Sequence, residues 1–318
     1  MMRAAPLAAF LCAAWLAVAP PALAAPGKAA AAKGPAPYQF AIIGHRFSDG
    51  GSEAQLEQAI AASDDGAVAF IVATGIKAER EPCSDELYTQ RRDLFAEARR
   101  PMIVAPAASD WSGCTNGAGS QVAVDRLNRV RELFYPDADS LGQRPLPVQR
   151  LSSSSQFRSY AENAHWIVGN VLYATMNLPS DNNHYRPEAG RNSEFEDRAV
   201  ANRFWLKRLF GMAHRRKLDA VVLFTEGDMK IHSEKPGLLA MLGPGESRQD
   251  GYAAVRHQVL AAAQKFAGKV LLVDTAPPPG PAPAIAWRGN LGHVSVGSKV
   301  LRMRVAPGSE KMFLLQKP

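Results

Sequence analysis

FAIIGHRFSDGG, Phe40 to Gly51, is the stretch whose reading decides the fold. It is the first apolar, strand-like run after a low-complexity segment, and it ends in a small loop rich in polar groups. In α/β proteins the mouth of such a strand is where chemistry is usually placed. His45 stands at that mouth and is the first candidate functional residue.

Downstream, strand and helix signals alternate. Ala67 to Ala73 (AVAFIVA) and Pro101 to Ala105 (PMIVA) read as the second and third strands. Between them, Ser52-Glu53-Ala54-Gln55 forms a capping box ahead of Leu56 and Ile60, one helical turn apart. Asp85 to Arg100 reads as an amphipathic helix with Leu87, Leu94 and Phe95 on its apolar side. A β-α-β-α-β run of this kind predicts a right-handed parallel sheet and an α/β fold class.

The middle changes character. Val122 to Phe134 reads as helix, and Pro136 to Ser155 as a surface loop rich in Pro, Asp and Ser. Ala164 to Val168 and Val171 to Asn177 flank Gly169-Asn170, a hairpin signal. Pro179 to Arg191 is polar loop. A second capping box, Ser193 to Glu196, opens a long helix with Phe195, Ala199, Leu206, Leu209, Phe210 and Ala213 on one face. Ala220 to Thr225 and Lys269 to Asp274 are strands around a helix from Ser247 to Ala267. Ala276 to Ala286 is Pro-rich loop. His293 to Val296, Lys299 to Val305 and Met312 to Leu315 close the chain as β-structure. The layout is two sheet-forming halves joined through antiparallel strands, with helices outside and no internal repeat.

Residues 1–24 are expected to be a secretory signal peptide. Arg3 precedes an apolar run that ends in Ala22-Leu23-Ala24, while Pro6, Pro20 and Pro21 interrupt it and leave it short for a membrane anchor. Residues 25–37, made of Ala, Gly, Pro and Lys, read as a disordered tether, and residues 38–318 as the folded domain. A periplasmic or secreted location follows, with no transmembrane span in the mature chain. The formal charge is +7, of which Arg3 contributes one. The basic residues are dispersed, and the densest run, His214 to Lys217, sits where cations complement a helix C-terminus. That argues against a nucleic-acid partner. Cys12 leaves with the signal, so Cys83 and Cys114 are expected to form a disulfide in an oxidising compartment.

The chain resembles the calcineurin-like metallophosphoesterase superfamily, and more narrowly a bacterial exported branch of it. The matching pieces are FAIIG with SDGG, AFIVATGIK with EPCSDELYTQRRDLF, PMIVAPAASDWSGC, RLNRVRELFYPD, LGQRPLPVQR, ENAHWIVGNVLYATMNL with SDNN, VVLFTEGDM, KVLLVD and HVSVGSKVLRMRV. Together they cover nearly all of residues 39–305. The resemblance implies a four-layer α/β/β/α sandwich with a two-metal site at the strand ends. In that chemistry two divalent cations about 3.5–4 Å apart activate water and polarise a phosphoryl oxygen.

The family's ligand pattern is replaced at each strand end. Gly44-His45 stands for Gly-Asp after the first strand, and Thr74-Gly75 removes the bridging carboxylate after the second. Ala107-Ala108-Ser109-Asp110 stands for Gly-Asp-Asn-Glu after the third. Asn177 stands for a lone His, and Asp274 to Pro278 for a His-rich turn. Ala, Gly and Pro donate nothing to a cation, so the expectation is a pseudoenzyme without cofactor that binds a small polar or phosphate-bearing ligand. His45, Lys77, Ser109, Asp110, Asn177, Asn182, Asn183 and Asp274 are its pocket candidates, with His45 read first as filler for the vacated pocket. Asp228 and His232 read as rim residues. The competing expectation is an active phosphoesterase with His45, Asp110 and Asp274 around one divalent metal. A third is a structural envelope protein. GxSxG, P-loop, HExxH and CxxC motifs are absent from the sequence, and nothing in it fixes the oligomeric state.

Overall fold

The first strand, β1 (Tyr38–Ile43), is apolar and buried from Phe40 to Ile43 because both of its faces are covered there. Phe40 and Ile42 point to one apolar layer, and Ala41 and Ile43 to another. It pairs in parallel with β2 (Val68–Thr74), which pairs in parallel with β3 (Met102–Ala105). The computed structural model describes residues 1–2, 35–48, 50–186, 192–232 and 250–316. Residues 3–24 of the expected signal segment, most of the tether, Asp49 and the start of the helix expected from Ser247 lie outside the described residues. Two units are separated by their contacts, Met1–Lys33 and Gly34–Pro318, and every element named here belongs to the second.

Five helices are described. They are α1 (Glu53–Ser63), α2 (Asp85–Ala96), α3 (Ala123–Phe134), α4 (Ser193–Arg215) and α5 (Ala253–Lys265). The remaining strands are β4 (Gln149–Arg150), β5 (Ala164–Val168), β6 (Val171–Thr175), β7 (Ala220–Phe224), β8 (Lys269–Asp274), β9 (Ala286–Arg288), β10 (Leu291–Ser295), β11 (Val300–Val305) and β12 (Phe313–Gln316). They form two mixed sheets, ordered β12-β11-β1-β2-β3 and β4-β5-β6-β7-β8-β10-β9. The parallel core of the second sheet is β6-β7-β8-β10, flanked by antiparallel neighbours. The architecture is therefore mixed α/β.

Three apolar clusters hold it together. Leu56 and Ile60 of α1, Tyr88 and Phe95 of α2, and Val130 and Phe134 of α3 pack on Ala41, Ile43 and Ile71 of the first sheet. Trp205, Leu209 and Ala213 of α4 and Val259 of α5 pack on Leu172, Leu223 and Leu272 of the second. Between the sheets lie Phe40, Phe70, Trp166, Tyr173 and Phe224. Phe40 stacks on Phe70 at 5.0 Å and meets Tyr173 edge-on at 5.3 Å. Rings at such separations add directional attraction to area burial.

Local signals and structure differ in three places. The Ser52 backbone N–H donates to Gln55 Oε1 at 3.0 Å, as a capping box requires, but α4 begins at Ser193 itself with Asn192 as N-cap. The buried face of α2 is Tyr88, Arg91 and Phe95; Leu87 and Leu94 are half-buried, because Arg91 turns inward to Glu53 and Glu81. The two-residue strand β4 and the three-residue strand β9 emerge from expected loops, each as a sheet edge. Cys83 and Cys114 are joined by a disulfide, tying the loop before α2 to the loop after β3. Among the described residues no helix is long and apolar enough to cross a membrane.

One buried histidine sets an acid limit on this core. His165 on β5 is 3% exposed beside Trp205, with Nδ1 lacking a partner. Burial first, then Arg208, pushes it down to about 4. An unfolded histidine titrates near 6.5. The folded form takes its proton later than the unfolded one, so stability is complete above about pH 6.5 and falls as pH drops toward 4, by up to about 3 kcal/mol. Urea denaturation of His165→Gln between pH 7 and pH 4 is expected to show a shallower acid loss by about that amount. Parallel pH profiles for the two proteins would contradict it.

Candidate functional site

The carboxyl ends of β1, β2, β3, β7 and β8 converge on one cluster of buried polar groups. After β1 the backbone stays pinned to the turn before β11: the Gly44 and His45 N–H groups donate to the carbonyls of Lys299 and Gly297 at 2.9 and 3.0 Å. Gly44 is required by that approach, since a Cβ there would stand 2.0 Å from the Gly297 oxygen. The strand end thus delivers the His45 ring to a fixed place.

That place is the space above Gly75. Gly75 has φ +83°, and a Cβ added to it would lie 2.2 Å from His45 Cδ2 and 2.6 Å from Nε2. The imidazole is 6% exposed. Nε2 meets Ser109 Oγ at 3.2 Å, and Nδ1 faces Glu226 Oε1 at 3.8 Å. Ser109 donates its hydroxyl to the Lys77 carbonyl at 3.0 Å.

Two buried carboxylates bracket the ring. Asp110 Oδ1 accepts from the Ile76 and Lys77 N–H groups at 2.9 and 3.0 Å, and Oδ2 from Ala107 at 2.6 Å. It ties the loop after β2 to the loop after β3. Glu226 Oε2 accepts from the Ala108 and Ser180 N–H groups at 2.6 and 3.0 Å, and Oε1 from the Ser180 hydroxyl at 2.9 Å. Burial pushes both acids up, while His45 and the backbone donors pull them back. Their oxygens are occupied by donors that hold loops in position.

A cavity of about 800 Å³ opens over this cluster, and of the eight pocket candidates only His45 and Asn182 line it. Lys77 is buried, its Nζ donating to the Ala78 carbonyl at 2.7 Å, and burial pushes its amine down. Asp110 is fully buried and Ser109 half-buried beside the His45 ring, and neither lines the cavity. Asn177 Nδ2 donates to Glu162 Oε1 at 3.1 Å, deeper in the second sheet. Asn183 points away to Arg198 and the Gly251 carbonyl. Asp274 turns to His293 and to the Ala276 N–H. Asn177, Asn183 and Asp274 instead bond to groups of other segments, Glu162, Arg198 and His293.

The single-cation set of His45, Asp110 and Asp274 therefore does not assemble. Among the described residues, the group of His, Cys, Asp and Glu side chains with three ligand atoms within 4.8 Å is Asp228, Asp274 and His293. Asp228 also lines the cavity, as expected of a rim residue, whereas His232 donates toward the Ala286 carbonyl.

Sequence reasoning missed Glu226, Ser180, Tyr252 and His293. An acid directly after the apolar run of β7 was the available signal for Glu226, and a histidine inside the alternation of β10 for His293. Ser109, His45 and Glu226 have the residue types of an acyl-transfer triad. His45 and Glu226 line the cavity and Ser109 does not, its hydroxyl donating to the Lys77 carbonyl. The 3.8 Å gap to Glu226 also exceeds a hydrogen bond. No family model matches the chain, and no curated protein matches it.

Proposed function

We propose that this chain is an exported protein of the calcineurin-like metallophosphoesterase superfamily that has lost the two-metal centre and works as a binding protein. The fold reading is the family's four-layer α/β/β/α sandwich. Two mixed sheets sharing an apolar layer, with helices on their outer faces, support it. Export is supported by the Cys83–Cys114 disulfide.

The observation that carries the proposal is the His45 ring lying against Gly75. By the resemblance, residue 75 holds the place of the bridging carboxylate. Here it offers no donor, and an imidazole fills the space. The remaining acids do not fit a metal pair either, since Asp110 and Glu226 spend their oxygens on backbone N–H groups. The ligand is small and polar or phosphate-bearing. It meets His45, Ser48, Ser180, Asn182 and Tyr252 in the cavity, with Pro277 and Pro278 as an apolar wall.

The test is a hydrolysis screen on the processed protein with Mn²⁺, Fe²⁺ or Zn²⁺ supplied. p-Nitrophenyl phosphate and bis-p-nitrophenyl phosphate are expected to give no turnover above buffer. In thermal denaturation at least one small polar or phosphate-bearing compound is expected to raise Tm with concentration, as ligand linkage requires. Metal-dependent turnover that His45→Ala abolishes would overturn the reading.

A further inference from the structure

We infer that Asp228, Asp274 and His293 form a binding site for one divalent transition-metal cation, distinct from the His45 cluster. The three side chains come from three elements: the loop after β7, the end of β8 and the middle of β10. In the parallel pairing of β8 with β10, His293 is opposite Leu272 and Ser295 opposite Asp274. His293 and Asp274 are thus diagonal neighbours on the same face of the sheet. That face is the α4/α5 side, since Val270, Leu272 and Leu291 of the same alternation pack there.

The geometry around one atom makes the case. Both carboxylates converge on the same imidazole nitrogen: His293 Nε2 is hydrogen-bonded to Asp274 Oδ2 and stands 3.6 Å from Asp228 Oδ1. The N–H of that nitrogen bonds Asp274, and at 3.6 Å the Asp228 oxygen is beyond hydrogen-bond range. A cation in place of that proton would be shared by both acids and the nitrogen lone pair. Bonds of about 2.0–2.1 Å in a tetrahedron put ligand atoms about 3.3 Å apart. The Asp228 separation is close to that edge already, and Asp274 is in direct contact with the same nitrogen.

The surroundings suit a bound ion. Asp274 is 2% exposed, so its charge is not one of the solvated acids common on surfaces. Its second oxygen accepts the Ala276 N–H at 3.0 Å, which fixes the carboxylate plane. Such outer contacts orient ligands. Asp228 lines the cavity, which gives the site an edge on that space. One imidazole and two carboxylates suit Zn²⁺ or Mn²⁺ among common cations. His232 lies beside the site, with ring centres 5.7 Å apart, but its Nε2 is taken by the Ala286 carbonyl.

The experiment is equilibrium dialysis of the untagged, processed protein against micromolar free Zn²⁺, read by elemental analysis, with Co²⁺ absorption as a second readout. Near-stoichiometric zinc is expected, one per chain. Asp274→Asn and His293→Gln are each expected to weaken binding by roughly 100-fold or more, since even loss of a hydrogen-bond partner behind a ligand costs about 10–100-fold. Asp228→Asn, at a partly exposed position where folding is not at stake, is expected to weaken it at least about 10-fold. His257→Gln, exposed on α5, is expected to leave it unchanged. No bound zinc, or zinc that persists at full affinity in Asp228→Asn and His293→Gln, would overturn the site. Loss of zinc in His45→Ala with retention in Asp274→Asn would overturn it as well, by placing the ion elsewhere.

Discussion

Gly75→Ala is expected to destabilise the protein by about 2–5 kcal/mol, and His45→Ala is expected to restore part of that loss. Two costs combine in the single variant. A non-glycine residue at φ +83° costs roughly 1–2 kcal/mol. The new methyl also meets the His45 ring at 2.2 Å, and overpacking of a closed site typically costs about 1–3 kcal/mol. The ring cannot swing aside freely, because Ser109, Glu226 and the pinned backbone of residues 44–45 hold it. In Gly75→Ala/His45→Ala only the backbone cost remains. Chemical denaturation of the four proteins in a double-mutant cycle is therefore expected to give a coupling of about 1–3 kcal/mol. Zero coupling would mean that the imidazole does not occupy this space, and the functional reading would fall with it. The same clash applies to any larger side chain at residue 75 while His45 is present.

The second large effect is at Arg198, on the first turns of α4. The guanidinium is fully buried. Nε and Nη2 bind Glu194 at 2.7 and 3.1 Å, Nη2 also donates to the Asn183 carbonyl at 2.8 Å, and Nη1 donates to Asn183 Oδ1 and the Asn177 carbonyl. These bonds hold Asn182, Asn183 and His184, three successive residues with positive φ. Asn tolerates that conformation, but a histidine there needs outside support. Asn182 then presents itself to the cavity. Arg198→Ala removes one member of a buried network and leaves the Asn183 side-chain and main-chain oxygens without that donor, a change expected to cost about 3–5 kcal/mol. Faster amide exchange over residues 179–186 should accompany the loss. A cost below about 1 kcal/mol, or unchanged exchange, would show that the loop holds itself.

Much of this was legible one segment at a time. The burial of β1, β2, β7 and β8 on both faces is written as unbroken apolar runs, and the alternation of Leu301, Met303 and Val305 against arginines marks β11. The position of His45 at a strand mouth was readable for the same reason. Arg198 and Arg91 were not, since a buried cation looks like a solvated one until its partners are known. Glu226 lies far from His45 in sequence, and nothing local links the two.

The sequence by itself determined the order of strands and helices, the disulfide pair and the absence of donor side chains at Gly75 and Ala108. Those are properties of short windows and of side-chain chemistry. Only the tertiary structure decided where the polar groups point. It placed β11 beside β1 and β10 beside β8, and those pairings pinned His45 over Gly75 and turned Asp274 toward His293. The physical reason is that a buried carboxylate or imidazole goes to whichever donor or acceptor the sheet order brings within hydrogen-bond reach. Sheet order is fixed by packing between segments far apart in the chain.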